Sequence, residues 1–137
     1  MTEDMTEDMT ETVDNSKIRI LVIDDDDLVR ETMKLGLESA HYQVSEANDG
    51  AVGLQIAFQD EFDLVITDIL MPNKEGIETI QELRRARPAL KIIAISGGDR
   101  RGGSFLEIAE KLGANKTLRK PFRPQELLRC VQDLLAE

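Results

Sequence analysis

Apolar positions along the chain fall into blocks of two kinds. Ile18 to Ile23, Leu64-Val65-Ile66-Thr67 and Ile92 to Ile95 are nearly continuous apolar runs, and Tyr42 to Ala47 and Asn115 to Leu118 are shorter ones. Runs of this length, bounded by polar and turn-forming residues, read as strands. Between them apolar residues recur at helical spacing. Val29, Met33, Gly36 and Ala40 mark a helix over 27–40; Ala51, Leu54 and Phe58 mark a second, after Asp49-Gly50. Ile77, Ile80 and Leu83 mark a third over about 75–87, with Pro88 beyond its end. Phe105, Ile108, Ala109 and Leu112 mark a fourth, with Gly113 as its stop. Leu127, Val131, Leu134 and Leu135 mark a fifth, preceded by Pro121 and Pro124.

Five strands alternating with five helices imply an α/β fold, a parallel sheet covered on both faces. Continuous apolar strands suit that double burial. Right-handed crossovers and five such units favour a doubly wound, flavodoxin-like sheet in the order 2-1-3-4-5. Loops are expected at Met71-Pro72-Asn73 and over the glycine-rich stretch Gly97 to Gly103, where four glycines restrain the backbone little.

Composition adds detail to this frame. Aromatic residues are 4% of the chain and Trp is absent, so the core must be aliphatic. The net charge of −10 is concentrated at the start, where residues 1–16, MTEDMTEDMTETVDNS, carry six acids and no base. Such a polar, repetitive stretch is expected to be a mobile tail, leaving a domain over 17–137. That domain has no basic excess of the kind that recruits nucleic acid. No apolar run reaches the roughly 18 residues of a membrane span, and the N-terminus has no apolar signal core. A soluble, cytoplasmic protein is expected.

Some residues are read as structural. Cys130 cannot form an intramolecular disulfide and is expected to be a small, partly buried apolar residue. His41 is expected at the surface, away from any site. Arg84, Arg85 and Arg87 are read as a solvated face suited to the helix dipole, and Arg100 and Arg101 as a charged loop.

In a sheet of this order the functional crevice lies beyond the C-terminal ends of the strands, between the first and third. Those ends are rich in reactive groups. Asp24 and Asp25 follow the first strand, Asp68 the third and Ser96 the fourth, and Lys120 follows the fifth. Asp26 or Asp27 is expected to cap the helix that follows. Three neighbouring carboxylates repel one another and call for protonation or a cation. Mg²⁺, a hard ion that tolerates phosphate, suits them. With Lys120 as a second positive charge, Asp68 could act as a nucleophile toward phosphorus, and Ser96 could hydrogen-bond a phosphoryl oxygen.

The segments LVIDDDDLVR, DLVITDILMPNKEG, IIAIS and GANKTLRKPF, in this order and spacing, resemble the receiver domains of two-component response regulators. The resemblance covers residues 17–137. It implies that Asp68 is the phosphoacceptor, with Asp24 and Asp25 forming an acidic pocket in which Asp25 is the favoured direct Mg²⁺ ligand. Asp68 and the backbone carbonyl of Leu70 would complete the protein ligands, Ser96 would be the switch hydroxyl and Lys120 the phosphate-contacting amine. It implies a cis Lys120–Pro121 bond. It also implies a sensor histidine kinase or histidine phosphotransfer protein as donor, and a downstream protein as target. Thr117 stands where many such domains carry Tyr or Phe, and it cannot fill the same pocket. By the same resemblance, Leu70 and Gly98 would flank the path of a hydrolytic water.

Because the chain ends after the fifth helix, a stand-alone phosphorylation switch is expected, rather than an enzyme acting on separate substrates. Two alternatives remain. A Mg²⁺-dependent phosphatase with an aspartyl nucleophile would typically carry a second acid two residues after it, where this chain has Leu70. A phosphorylation-independent interaction module would not need the full set of Asp24, Asp25, Asp68, Ser96 and Lys120.

Overall fold

A computed structural model describes residues 15–69, 76–97 and 102–137, with backbone alone over 102–106. The elements run β1 (Arg19–Ile23), α1 (Asp27–Ser39), β2 (Gln43–Ala47), α2 (Gly50–Gln59), β3 (Leu64–Asp68), α3 (Gly76–Ala86), β4 (Lys91–Gly97), α4 (Gly102–Leu112), β5 (Lys116–Lys120) and α5 (Pro124–Leu135). All strand pairs are parallel, and their order is β2-β1-β3-β4-β5. The fold expected from the pattern of apolar blocks is the one observed.

The central strands are apolar on both faces because each face meets helices. Leu21, Ile23, Val65, Ile92 and Ala94 pack with Leu54, Ile80, Leu83 and Ala109 of α2, α3 and α4. Ile20, Val22, Leu64, Ile66, Ile93 and Ile95 point the other way, onto Met33, Leu37, Leu127, Val131 and Leu134 of α1 and α5. Alternate residues of each strand therefore serve two separate cores. Each fully buried aliphatic side chain contributes about 2 kcal/mol from water exclusion. Among the described residues, no helix is long and apolar enough to cross a membrane.

The inward faces of three helices differ from the expected stripes. In α1 the buried pair is Met33 and Leu37, not Gly36 and Ala40. A β-carbon at Gly36 would lie 3.9 Å from the Cβ of Pro124, an ordinary van der Waals distance, so this position faces α5 with room for a methyl group. In α2 the buried residues are Gly50, Gly53, Leu54 and Ala57, while Ala51 is exposed and Phe58 is 44% exposed. A β-carbon at Gly53 would sit 2.4 Å from Ile23 Cδ1. The helix thus lies on β1 through its small residues, and its aromatic residue turns outward. In α4, Ala109 is buried and Ile108 is 43% exposed; the side chain of Phe105 lies outside the described residues.

The two ends of the glycine-rich stretch lie in regular elements rather than in a loop. Gly97 belongs to β4, and Gly102 and Gly103 begin α4. Residues 98–101, including Gly98, Arg100 and Arg101, lie outside the described residues, as do residues 1–14 and the 70–75 segment with Met71-Pro72-Asn73. Asn15, assigned to the tail on composition, donates from Nδ2 to the Ala40 carbonyl at 2.8 Å.

Arg84 is not part of a solvated face. Its guanidinium donates to the carbonyls of Gly113 (2.7 Å), Pro88 (2.8 Å) and Leu90 (2.6 Å), and to Asn115 Oδ1 (2.8 Å). It ties the end of α3 to the turn after α4, where Gly113 adopts φ 132°. Arg85 and Arg87 are exposed. So is His41, which follows α1 at φ 75°, and Cys130 is half-buried as expected.

Candidate functional site

Strand register builds the site. Ile23 of β1 pairs with Thr67 of β3, so the next residue of each strand, Asp24 and Asp68, leaves the sheet side by side. The Asp24 amide still donates to Ala47 O of β2 (3.1 Å), which keeps the chain extended up to this point. On the far side Asp68 pairs with Ile95 of β4, and Ser96 is the following residue. Gly97 pairs with Lys120, the last residue of β5. Four strand ends thereby bring Asp24, Asp68, Ser96 and Lys120 to one edge of the sheet.

Burial differs sharply among the acids. Asp24 is fully buried and Asp68 is 5% exposed, whereas Asp25 is open to solvent. One carboxylate oxygen from each of the three can be grouped so that all lie within 4.8 Å of one another. The Lys120 ammonium sits between the two buried acids. It donates to Asp68 Oδ2 at 3.0 Å and lies 2.9 Å from Asp24 Oδ2 as an ion pair without hydrogen-bond direction. Asp24 Oδ1 accepts the Asp26 amide at 2.9 Å. Asp26 in turn caps α1, accepting from the amides of Leu28 and Val29 at 3.0 and 3.2 Å.

Electrostatics follow from this arrangement. Burial pushes the Asp24 carboxyl above its ordinary value, and the Asp68 charge adds to the rise; Lys120 and the Asp26 amide oppose it. Burial works against the Lys120 charge, but the two carboxylates outweigh it and hold the ammonium above its usual range. Three carboxylates and one ammonium leave a formal charge of about −2, which a divalent cation balances, being equal in size and opposite in sign. The Ser96 hydroxyl is 1% exposed, and its Oγ has no hydrogen-bond partner among the described residues. A buried hydroxyl without a partner is costly. Its position beside Asp68 leaves it available to an incoming oxygen.

Leu70, expected to offer its carbonyl, lies outside the described residues. The Lys120–Pro121 bond is cis, as the resemblance implies. Thr117 is half-buried on β5, paired with Ala94.

Two glycines at the site were not singled out from sequence. A β-carbon at Gly76, the first residue of α3, would lie 2.2 Å from the Asp68 carbonyl oxygen and 2.3 Å from Ile69 Cα. A β-carbon at Gly97 would lie 2.4 Å from Lys120 Cβ and 2.5 Å from its Cδ. The lysine stem therefore crosses β4 over a position with no side chain, and Cβ, bonded to the backbone, cannot swing away cheaply. Gly97→Ala is expected to displace the ammonium and slow any reaction at Asp68 on the order of tenfold. The check is the rate of phosphoryl incorporation, with circular dichroism to establish folding; an unchanged rate removes Gly97 from the site.

Comparison with known proteins agrees with this geometry. The profile of the response regulator receiver domain matches residues 20–132. The chain belongs to that family. Response regulator MprA of Mycobacterium leprae is 33% identical over 123 residues, which are 86% of this chain and 51% of that protein. The receiver domain thus spans about half the length of the curated relatives it matches. Among solved structures, a CheY-like receiver domain protein from Methanospirillum hungatei JF-1 superposes with a TM-score of 0.80 at 30% identity, covering 87% of this chain and 94% of its own. A receiver domain protein from Clostridium thermocellum superposes at 0.81 and 30% identity, with the same two coverages.

Proposed function

We propose that this receiver domain takes a phosphoryl group onto Asp68 and signals the change to a protein partner. The donor would be a phosphohistidine of a sensor histidine kinase or histidine phosphotransfer protein. The observation that carries this reading is the Lys120 ammonium shared by two buried aspartates, beside a buried hydroxyl with no partner among the described residues.

The donor set fits Mg²⁺. All three side chains offer hard oxygen ligands, and the exposed Asp25 gives the ion access from solvent. Asp24, Asp25 and Asp68 would hold it, with the Leu70 carbonyl as a further proposed ligand, and it would neutralise charge on the transferring phosphoryl group. The rest of the chemistry belongs to the chain. One Asp68 oxygen forms a bond to phosphorus as the phosphorus–nitrogen bond of the donor breaks, and the imidazole leaves with the electron pair. The product is a mixed anhydride on the aspartate. Lys120 exchanges its Asp68 contact for a phosphoryl oxygen, and the Ser96 hydroxyl donates to another. The protein acts on itself, and is not an enzyme for a separate substrate.

The test uses labelled acetyl phosphate as a small donor. The expected label is at most one per chain, requires Mg²⁺, is absent with EDTA, and is released by neutral hydroxylamine as an acyl phosphate is. Many turnovers of p-nitrophenyl phosphate would instead favour a phosphatase. No label with any donor would favour a phosphorylation-independent interaction module.

A further inference from the structure

The acidic turn between β1 and α1 contains four consecutive aspartates, Asp24 to Asp27. Like charges at this density repel, and a turn that carries them gains by opening outward. One side chain spans it. Arg30, on the first turns of α1 and 16% exposed, donates from Nη1 to the Asp24 carbonyl at 2.8 Å. Its Nη2 donates to Asp27 Oδ1 at 2.7 Å, and its Nε donates to Glu46 Oε1 at 3.0 Å. Glu46 lies on β2, paired in register with Val22 of β1, and is held from its other oxygen by Lys34 Nζ at 3.1 Å. The Arg30 amide also donates to the Asp26 carbonyl at 2.9 Å. One planar guanidinium thus grips both ends of the acidic turn and anchors them to the sheet.

We propose that Arg30 is a positioning residue that holds the Asp24–Asp27 turn in its cation-receiving shape before any cation arrives. The proposal rests on the Mg²⁺ reading given above. Asp25 is the residue most affected. Its side chain is exposed, while the chain on either side is fixed, by the Asp24 carbonyl on Arg30 and by the Asp26 amide on Asp24 Oδ1. Removing the guanidinium releases the tether; it also removes a positive charge that opposes cation binding, so a variant whose Mg²⁺ affinity rises would overturn the proposal. The ordering of the turn is then drawn from the binding free energy of the ion, so affinity falls while the bound geometry is unchanged. Lysine does not replace arginine here, because three acceptors in three directions require the fork rather than a point charge.

Partners behind metal ligands typically change affinity by about ten- to a hundredfold when removed. Arg30→Gln is expected to raise the Mg²⁺ dissociation constant on the order of tenfold in that range, and Arg30→Lys to recover little of it. Glu46→Gln, a smaller change at a partly exposed anchor, is expected to move it the same way by less. The experiment titrates MgCl₂ into each protein and follows amide NMR shifts, with amide hydrogen exchange measured on the metal-free proteins. Exchange at Asp25 to Asp27 is expected to quicken in the variants. Phosphorylation by acetyl phosphate is expected to need more Mg²⁺ for half-saturation and to reach an unchanged maximum. A variant that melts earlier but keeps wild-type Mg²⁺ affinity and wild-type exchange in the turn overturns the proposal, since Arg30 is then structural only. If Arg30→Gln does not fold, Arg30→Lys and Glu46→Gln decide by the same readouts. If the wild-type protein shows no saturable Mg²⁺ shift, the Mg²⁺ reading itself has failed, and this inference falls with it.

Discussion

Lys120→Met is expected to destabilise the receiver domain by about 3 kcal/mol at pH 7, because it leaves two buried carboxylates without their cation. Asp24 is fully buried, so without the ammonium its alternative is protonation rather than solvation. Its carboxyl already stands above the ordinary range through burial and the neighbouring Asp68 charge, with Lys120 opposing the rise. Without the ammonium the folded value climbs further, while the unfolded value does not change. A carboxyl whose folded value exceeds its unfolded one favours folding at low pH and loses that contribution as pH rises through the folded value. The deficit of the variant is therefore largest at neutral pH and shrinks as the solution is acidified toward pH 5. Denaturant unfolding of both proteins at the two pH values reads this directly. A deficit that stays constant would mean that Lys120 contributes packing of its stem over Gly97 and not charge. The same variant is expected to slow phosphoryl transfer by about a hundredfold or more, the usual cost of losing one charged donor to a developing phosphoryl charge.

The parts of the molecule that were legible in sequence are those governed by local pattern. β3 is buried at every residue, and a run of that kind has no polar face to confuse its reading. The site acids, hydroxyl and amine were legible because each sits at a strand end, and the parallel order alone brings strand ends together. What escaped depends on partners distant in sequence. Arg84 resembles one of three surface arginines in sequence, yet its acceptors lie up to 31 residues away. Arg30 drew no notice for the same reason, since Glu46 is 16 residues on. Gly97 was read with its glycine neighbours as loop, whereas pairing with Lys120 across β5 extends the strand through it. The buried face of α2 does not follow apolar size. There the backbone approaches β1 so closely that only Gly53 fits against Ile23, and Phe58 is displaced to the surface.

The Asp68→Asn variant is expected to lose phosphoryl acceptance entirely while keeping the fold. Asparagine fills the same space and its Oδ1 can still accept from Lys120, so packing is preserved. It removes one of three mutually repelling carboxylates, so stability is not expected to fall. What it lacks is a carboxylate oxygen at the end of β3 able to bond to phosphorus. Asp24 has its two oxygens engaged by the Asp26 amide and the Lys120 ammonium. The most direct test of the account is the intact mass of both proteins after incubation with Mg²⁺ and acetyl phosphate. The account predicts one phosphoryl group on the wild-type chain and none on Asp68→Asn. A wild-type chain that gains none, or an Asp68→Asn chain that still gains one, contradicts it.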